Sequence, residues 1–314
     1  MDRIPIGRFI RERREAMGLT QEELCHDICN TPNLSKIESG DRLPRNSTLH
    51  MLLERLGESD TYYTVPMDEY ENRIRPLRKK ARALVVAFRK ATGEERSALR
   101  EEALSALEKM EEMAEKDDLL TRQRILSDRV TLGTPAGPYP PAEQRRLLME
   151  ALRLTASDFD ISRIDNFRYT QEETGLINGI AITYALEGDR KTAIAVYQRL
   201  LDYIQKNNQQ LSRYANQLTL VAYNYARELD MDGQYDEAVR VAELGRKAAV
   251  QYGYYQFLPG LLHILAECWH YLRDDQKSKE LYLQTFYVYK AFEDQHNLEL
   301  LKKDVLEQLG LTFS

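Results

Sequence analysis

The sequence is poor in cysteine and has no long apolar run, and each shortage excludes a class of protein. Three cysteines in 314 residues are too few for a disulfide framework, and the odd number fits a reducing compartment. No stretch approaches the roughly 18 consecutive apolar residues that a membrane span needs. Charges begin at Asp2 and Arg3, without the apolar segment of a secretory leader. These shortages predict a cytoplasmic protein that does not engage the membrane. A nucleophile elbow, a phosphate-binding glycine loop and a Ser/His/Asp set are also missing, so neither an enzyme activity nor a cofactor is expected. Two groupings resemble metal ligands: Cys25, His26 and Cys29, and the stripe His263, Glu267 and His270. Neither has the ligand spacing of a zinc site. Cys25 and Cys29 read instead as small buried hydrophobes, and no metal is expected.

What is present is an ordinary globular balance, 43% hydrophobic and 30% charged, on a chain long enough for more than one domain. The formal net charge of −6 hides an uneven distribution. Residues 71–100 hold ten basic groups (Arg73, Arg75, Arg78, Lys79, Lys80, Arg82, Arg89, Lys90, Arg96, Arg100) against Glu71, Glu94 and Glu95. A second basic cluster is Arg3, Arg8, Arg11, Arg13 and Arg14. A basic end on an acidic body is compatible with DNA binding.

Helix signals are dense near the N-terminus. Ile6, Phe9, Ile10 and Met17 keep a helical period that Gly18 ends. Thr20-Gln21-Glu22-Glu23 is a capping box, so a second helix starts at Gln21 and turns Leu24 and Ile28 inward. Cys29-Asn30 makes a turn, and Thr31 or Pro32 opens a third helix that Gly40 stops. After Pro44 a fourth runs from a cap at Asn46 or Ser47 to Gly57, with Leu49, Leu52, Leu53 and Leu56 on its apolar face.

The order helix, TQEEL, tight turn, NLSKIESG, helix resembles the Xre or phage-repressor class of helix-turn-helix over residues 4–57, with a short turn like that of PlcR-type regulators. The resemblance implies a five-helix DNA-binding head, with Arg14 and Glu38 as an internal ion pair. A recognition helix enters the major groove N-terminus first, so Thr31, Asn33, Ser35 and Lys36 are the candidate base-edge contacts, while Leu34 and Ile37 face the core. Asn suits adenine and Lys suits guanine. By resemblance, Gln21 contacts phosphate and the edge base, and Arg42 and Arg45 lie in the loop that follows the DNA backbone.

From residue 69 onward helix formers dominate. A basic helix is predicted over about 69–91 and an acidic-faced one from Glu94 to about Lys116, before the break at Gly133–Pro141. An internal repeat follows. Ala193, Tyr197 and Leu200 recur as Ala238, Ala242 and Gly245, then as Ser278, Tyr282 and Thr285, at spacings of 45 and 40 residues. The pattern matches degenerate tetratricopeptide repeats, in which a small residue lets paired helices approach closely. Residues 118–155 add an earlier copy. Stacked hairpins form a superhelix with a concave face. Repeat position puts Asn178, Tyr223, Asn224, Arg227, His263, Glu267 and His270 near it, with Trp269 as a further aromatic. An asparagine amide can both donate to and accept from a peptide backbone.

An Xre-type head followed by such repeats resembles the PlcR/Rgg peptide-pheromone receptor family over nearly the whole chain. The fold class expected is all-α. The expected domains are a helix-turn-helix at 1–58, a linker at 59–70, and a repeat domain for sensing and dimerisation at 71–314. The resemblance implies a homodimeric transcription regulator that binds double-stranded DNA at an inverted-repeat operator and senses a short oligopeptide in quorum sensing. The alternative is a DNA-binding regulator whose repeats dock a protein partner.

Overall fold

The structure, a computed structural model, describes residues 6–58, 69–207, 211–310 and 312. Nearly every described residue outside the turns is helical. Among them the only β-type pairing is an isolated bridge between Thr134 and Gly137. The chain divides into two compact units, 1–180 and 181–314; the expected 59–70 linker falls within the first. Most of that linker lies outside the described residues. No described helix is long and apolar enough to cross a membrane.

Four helices are described in the head: α1 (Ile6–Ala16), α2 (Gln21–Cys25), α3 (Thr31–Ser39) and α4 (Asn46–Arg55). The capping box forms as the sequence predicts. The Glu23 N–H donates to Thr20 Oγ1 at 3.1 Å, and the Thr20 N–H donates to Glu23 Oε2 at 2.7 Å. Asn30 caps α3 by accepting from the Asn33 N–H at 2.9 Å, and Gly40 closes that helix with φ +84°. The fourth helix departs from expectation. Its cap residue is Arg45, which supplies no side-chain bond, so Asn46 and Ser47 lie inside the helix. Ile10, Leu24, Leu34, Ile37, Leu49, Leu52, Leu53 and Leu56 close a core that also takes Cys25.

The rest of the first unit is built on α5 (Glu69–Lys90), α6 (Gly93–Met113), α7 (Leu119–Leu132) and α8 (Pro141–Arg153). A second core joins α5, α6 and α7 through Ile74, Val85, Phe88, Leu107, Met110 and Ile125. α7 and α8 pack as the helical pair predicted for 118–155.

Helix α9 (Gln171–Leu186) runs across the division between the units. The second unit then continues through α10 (Arg190–Asn207), α11 (Leu211–Met231), α12 (Tyr235–Tyr252), α13 (Leu258–Tyr271), α14 (Asp275–Ala291) and α15 (Gln295–Leu309). Each of these from α10 packs against the next. Positive φ at Gly188, Gly233 and Arg273 turns the chain between paired helices. The repeat positions are where the spacing predicts: Ala193, Ala238 and Ser278 are each fully buried, as are Tyr197, Ala242 and Tyr282. The fold is thus an N-terminal helix-turn-helix followed by tetratricopeptide-like repeats.

Candidate functional site

In the head, caps and core together decide which side of α3 stays outside. Leu34 and Ile37 are buried in the core, so helical periodicity leaves Ser35 and Lys36 exposed and Thr31 and Asn33 half-buried. Thr31 Oγ1 is 3.7 Å from the Cys25 sulfur. Asn33 Oδ1 is covered and meets no donor among the described residues. The exposed Arg42 donates its backbone N–H to Lys36 O at 3.0 Å, which ties the loop to the end of α3. Sequence reasoning did not single out the exposed Asn30 and Pro32 at the start of this helix; the Asn-Pro spacing that caps α3 was the available signal.

The Arg14–Glu38 pair that the resemblance implied is present. Arg14 Nε donates to Glu38 Oε1 at 2.6 Å and Nη2 to Oε2 at 3.0 Å, both side chains being buried. Bonding to Glu38 raises the Arg14 pKa, so the guanidinium keeps its charge. Gln21 is half-buried, and its amide donates to Glu38 Oε2 at 2.7 Å. Arg45 also has partners inside the protein: Nη1 donates to Glu115 and Asp117 at 2.9 and 3.0 Å.

Arg45 is one of several bonds that fasten the head to the remainder of the first unit. The guanidinium of Arg55, 4% exposed, donates to Leu24 O and His26 O within the head, and at 2.9 Å to Thr155 O. It also lies 4.6 Å from the Phe167 ring. The Ser157 N–H donates to Asp27 at 2.6 Å, and the Gln171 N–H to Glu54 at 3.1 Å. Burial lowers the Arg55 pKa despite nearby Glu173, and burial raises that of Glu173. Apart from Arg45, these residues carry no functional signal in the sequence, since each pairs with a segment a hundred or more residues away.

The expected ligand residues lie on three helices: Asn178 on α9, Tyr223, Asn224 and Arg227 on α11, and His263, Glu267 and His270 on α13. Asn178, in the first unit, is 4% exposed, and Asn224, in the second, is 5% exposed; both already have partners within the protein. Tyr223 is half-buried and stacks on Phe257 with ring centroids 5.6 Å apart. Arg227 lies 6.0 Å from the Tyr223 ring and donates to Glu228 at 3.1 Å. Gly260 makes room for this arrangement, since a Cβ there would sit 2.5 Å from the Tyr223 ring edge. Trp269 lies under the Lys277 ammonium at 3.5 Å.

His263 and Glu267 form a second cluster on α13. His263 Nε2 is 3.9 Å from Glu267 and 3.4 Å from Asp304. Burial lowers the His263 pKa, so the ring is neutral near pH 7. Asp230 joins these carboxylates: burial, helped by Glu267, pushes its pKa up to about 6. His270 turns elsewhere, with Nδ1 2.7 Å from Asp275. Among the described residues no His, Cys, Asp and Glu group converges as a metal site. Cys25 is buried and Cys29 half-buried, and burial pushes the Cys29 thiol up to about 11.

Comparison with known proteins adds two family matches. Residues 5–61 match a helix-turn-helix domain, and residues 149–308 match the RNPP family C-terminal domain. No curated protein matches the chain. Among solved structures, Bacillus thuringiensis PlcR in complex with the peptide PapR7 and DNA is 17% identical, with a TM-score of 0.57 over 95% of this chain and 98% of that one. Its apo form is 16% identical, with a TM-score of 0.58 over 94% and 97%. The apo competence regulator ComR of Streptococcus vestibularis is 16% identical, with a TM-score of 0.51 over 97% and 98%.

Proposed function

The chain belongs to the RNPP family, with the family's C-terminal domain spanning half its length, and from this premise we propose that it is a DNA-binding transcription regulator controlled by a short oligopeptide. The observation that carries the reading is the union in one chain of that domain with a helix-turn-helix head whose third helix leaves Ser35 and Lys36 exposed. In this reading Thr31, Asn33, Ser35 and Lys36 read bases, and Arg42 and Arg45 hold phosphates. Arg45 then exchanges Glu115 and Asp117 for a phosphate when the head engages DNA. Gln21, whose amide also holds Glu38, contacts phosphate and the edge base. Two subunits bind an inverted repeat, because one recognition helix spans only a few base pairs.

The peptide is taken by the repeat helices. Tyr223 and Arg227 offer an aromatic and cationic surface, Glu267 and His263 an acidic one with a neutral ring, and Asn178 and Asn224 amides for main-chain bonds. His270, bonded to Asp275, adds a second imidazole to that set. The test is mass spectrometry of small molecules carried by protein purified from its host, followed by calorimetric titration of any peptide recovered. A recovered peptide whose affinity falls roughly ten- to a hundredfold in Asn224→Ala, as loss of a buried amide contact implies, supports the reading. Recovery of a folded protein partner in place of a peptide contradicts it.

A further inference from the structure

The basic character of α5 is not used by the reading above. The helix carries eight Arg and Lys residues against Glu69 and Glu71. At about 100° per residue, Arg75, Lys79, Arg82, Arg89 and Lys90 fall within about 100° of arc, away from buried Ile74, Ala81, Val85 and Phe88. All five basic residues are exposed. Lys79, Arg82 and Lys90 have no partner among the described residues, and Arg89 donates to the neutral Thr131 hydroxyl at 3.3 Å. No exposed acid shares the arc: Glu71 is buried and bonded to Arg78. An ordinary solvated face interleaves the two signs, as α1 does with Arg8–Glu12 and Arg11–Glu15. This face does not.

The arc also adjoins the head. Arg82 shares a cleft of about 290 Å³ with Asn46, Ser47 and His50 of α4. Those residues form the first two turns of a helix whose N-terminus has no side-chain cap, directly after the loop that carries Arg42. Backbone phosphates are held by Lys, Arg and helix N-termini together.

We propose that this face of α5 is a second surface for duplex DNA, holding backbone phosphates beside the site that the head reads; the proposal rests on the DNA-binding reading above. The chemistry favours duplex over other polyanions. From Arg75 to Lys90 the arc is about 22 Å long, a straight row about two-thirds of a duplex turn. Its only exposed apolar member is Val86, whereas an interfacial helix needs a broad apolar face. It has no exposed aromatic ring, on which single-stranded bases would stack.

The test compares wild type, a triple variant Lys79→Gln, Arg82→Gln, Lys90→Gln, and the charge-keeping triple Lys79→Arg, Arg82→Lys, Lys90→Arg. The probe is a mixed-sequence duplex titrated between about 50 and 200 mM salt. With about 0.9 of salt slope per phosphate contact, the glutamine variant should bind at least tenfold more weakly, with a slope shallower by roughly two to three. The charge-keeping variant should match wild type, and all three should melt alike. Equal affinity and slope in wild type and the glutamine variant would overturn the inference alone. A wild type that binds no duplex overturns the DNA-binding reading and this inference with it. Loss of binding to phosphatidylglycerol vesicles with duplex binding unchanged overturns it in favour of a lipid surface.

Discussion

Arg14 and Lys36 are both cations of the head, and their surroundings give them opposite work. Arg14 is 8% exposed and held by Glu38, which also accepts from Gln21; Lys36 is exposed. Glu38→Ala strands a buried guanidinium and an amide, a loss of about 3–5 kcal/mol, so thermal melting should drop by several degrees. Lys36→Ala should leave melting unchanged and cost about 1–3 kcal/mol of binding at one base position per half-site. Arg42→Ala should weaken all sequences alike and flatten the salt slope by about one. Melting curves and operator titrations on the three variants check the assignment. Identical DNA defects with unaltered melting would contradict it. At this scale the candidate site was partly legible. Exposure of Ser35 and Lys36 follows from the period that buries Leu34 and Ile37. The inward bond of Gln21 does not, because it depends on where Glu38, seventeen residues later, is brought by the turn.

At the scale of elements, helices in this fold approach as closely as their smallest residues allow. A Cβ on Gly7 would lie 1.9 Å from the Ile37 carbonyl oxygen, a backbone atom that cannot give way without moving α3 away from α1. Gly7→Ala should therefore unfold or loosen the head, seen as lost duplex binding while the repeat helices keep their circular dichroism. Gly245 is a milder case. Its Cβ would meet the Ala222 methyl at 2.8 Å and the Leu261 side chain at 3.0 Å. Gly245→Ala should cost about 1–3 kcal/mol through overpacking, measurable as a lower denaturant midpoint. Gly245 was visible from sequence because it repeats at the position of Leu200 and Thr285. Gly7 was not, since nothing within α1 marks the one point where another helix backbone crosses it. The cap of α4 was misplaced for a related reason: Asn46 and Ser47 are good cap residues, but the chain after Pro44 is already helical at Asn46.

At the scale of the whole molecule the proposed regulator is a dimer on DNA, and light scattering of the complex should give two protomers per inverted repeat. One protomer per duplex site would remove that part of the proposal. Stability should also depend on pH through the second unit. Folding raises the Asp230 pKa to about 6 from about 3.9 in an unfolded chain, so the folded state holds this proton more tightly. Its contribution is full below about pH 4 and is lost as pH rises through about 6. Asp230→Asn should therefore gain melting temperature over wild type between pH 4 and pH 7, by the equivalent of at most about 3 kcal/mol. A gap that does not widen with pH would show that solvent reaches the carboxylate.

The sequence by itself determined what depends on near neighbours: the helix-turn-helix order, the Thr20 capping box, the Gly40 stop, and the repeat register through Ala193, Ala238 and Ser278. Each is written in spacings of a few residues or in an exact recurrence, and local backbone physics reads it without knowing the fold. Only the tertiary structure decided which charged groups meet across long separations. Arg45 found Glu115 and Asp117, Arg55 found Thr155 O, and His263 found Asp304. It likewise buried Asn178 and Asn224 and set the division at residue 180. The physical reason is that a charge at a helix end satisfies the local pattern equally well with solvent or a distant partner. Packing chooses between them, by removing the solvent.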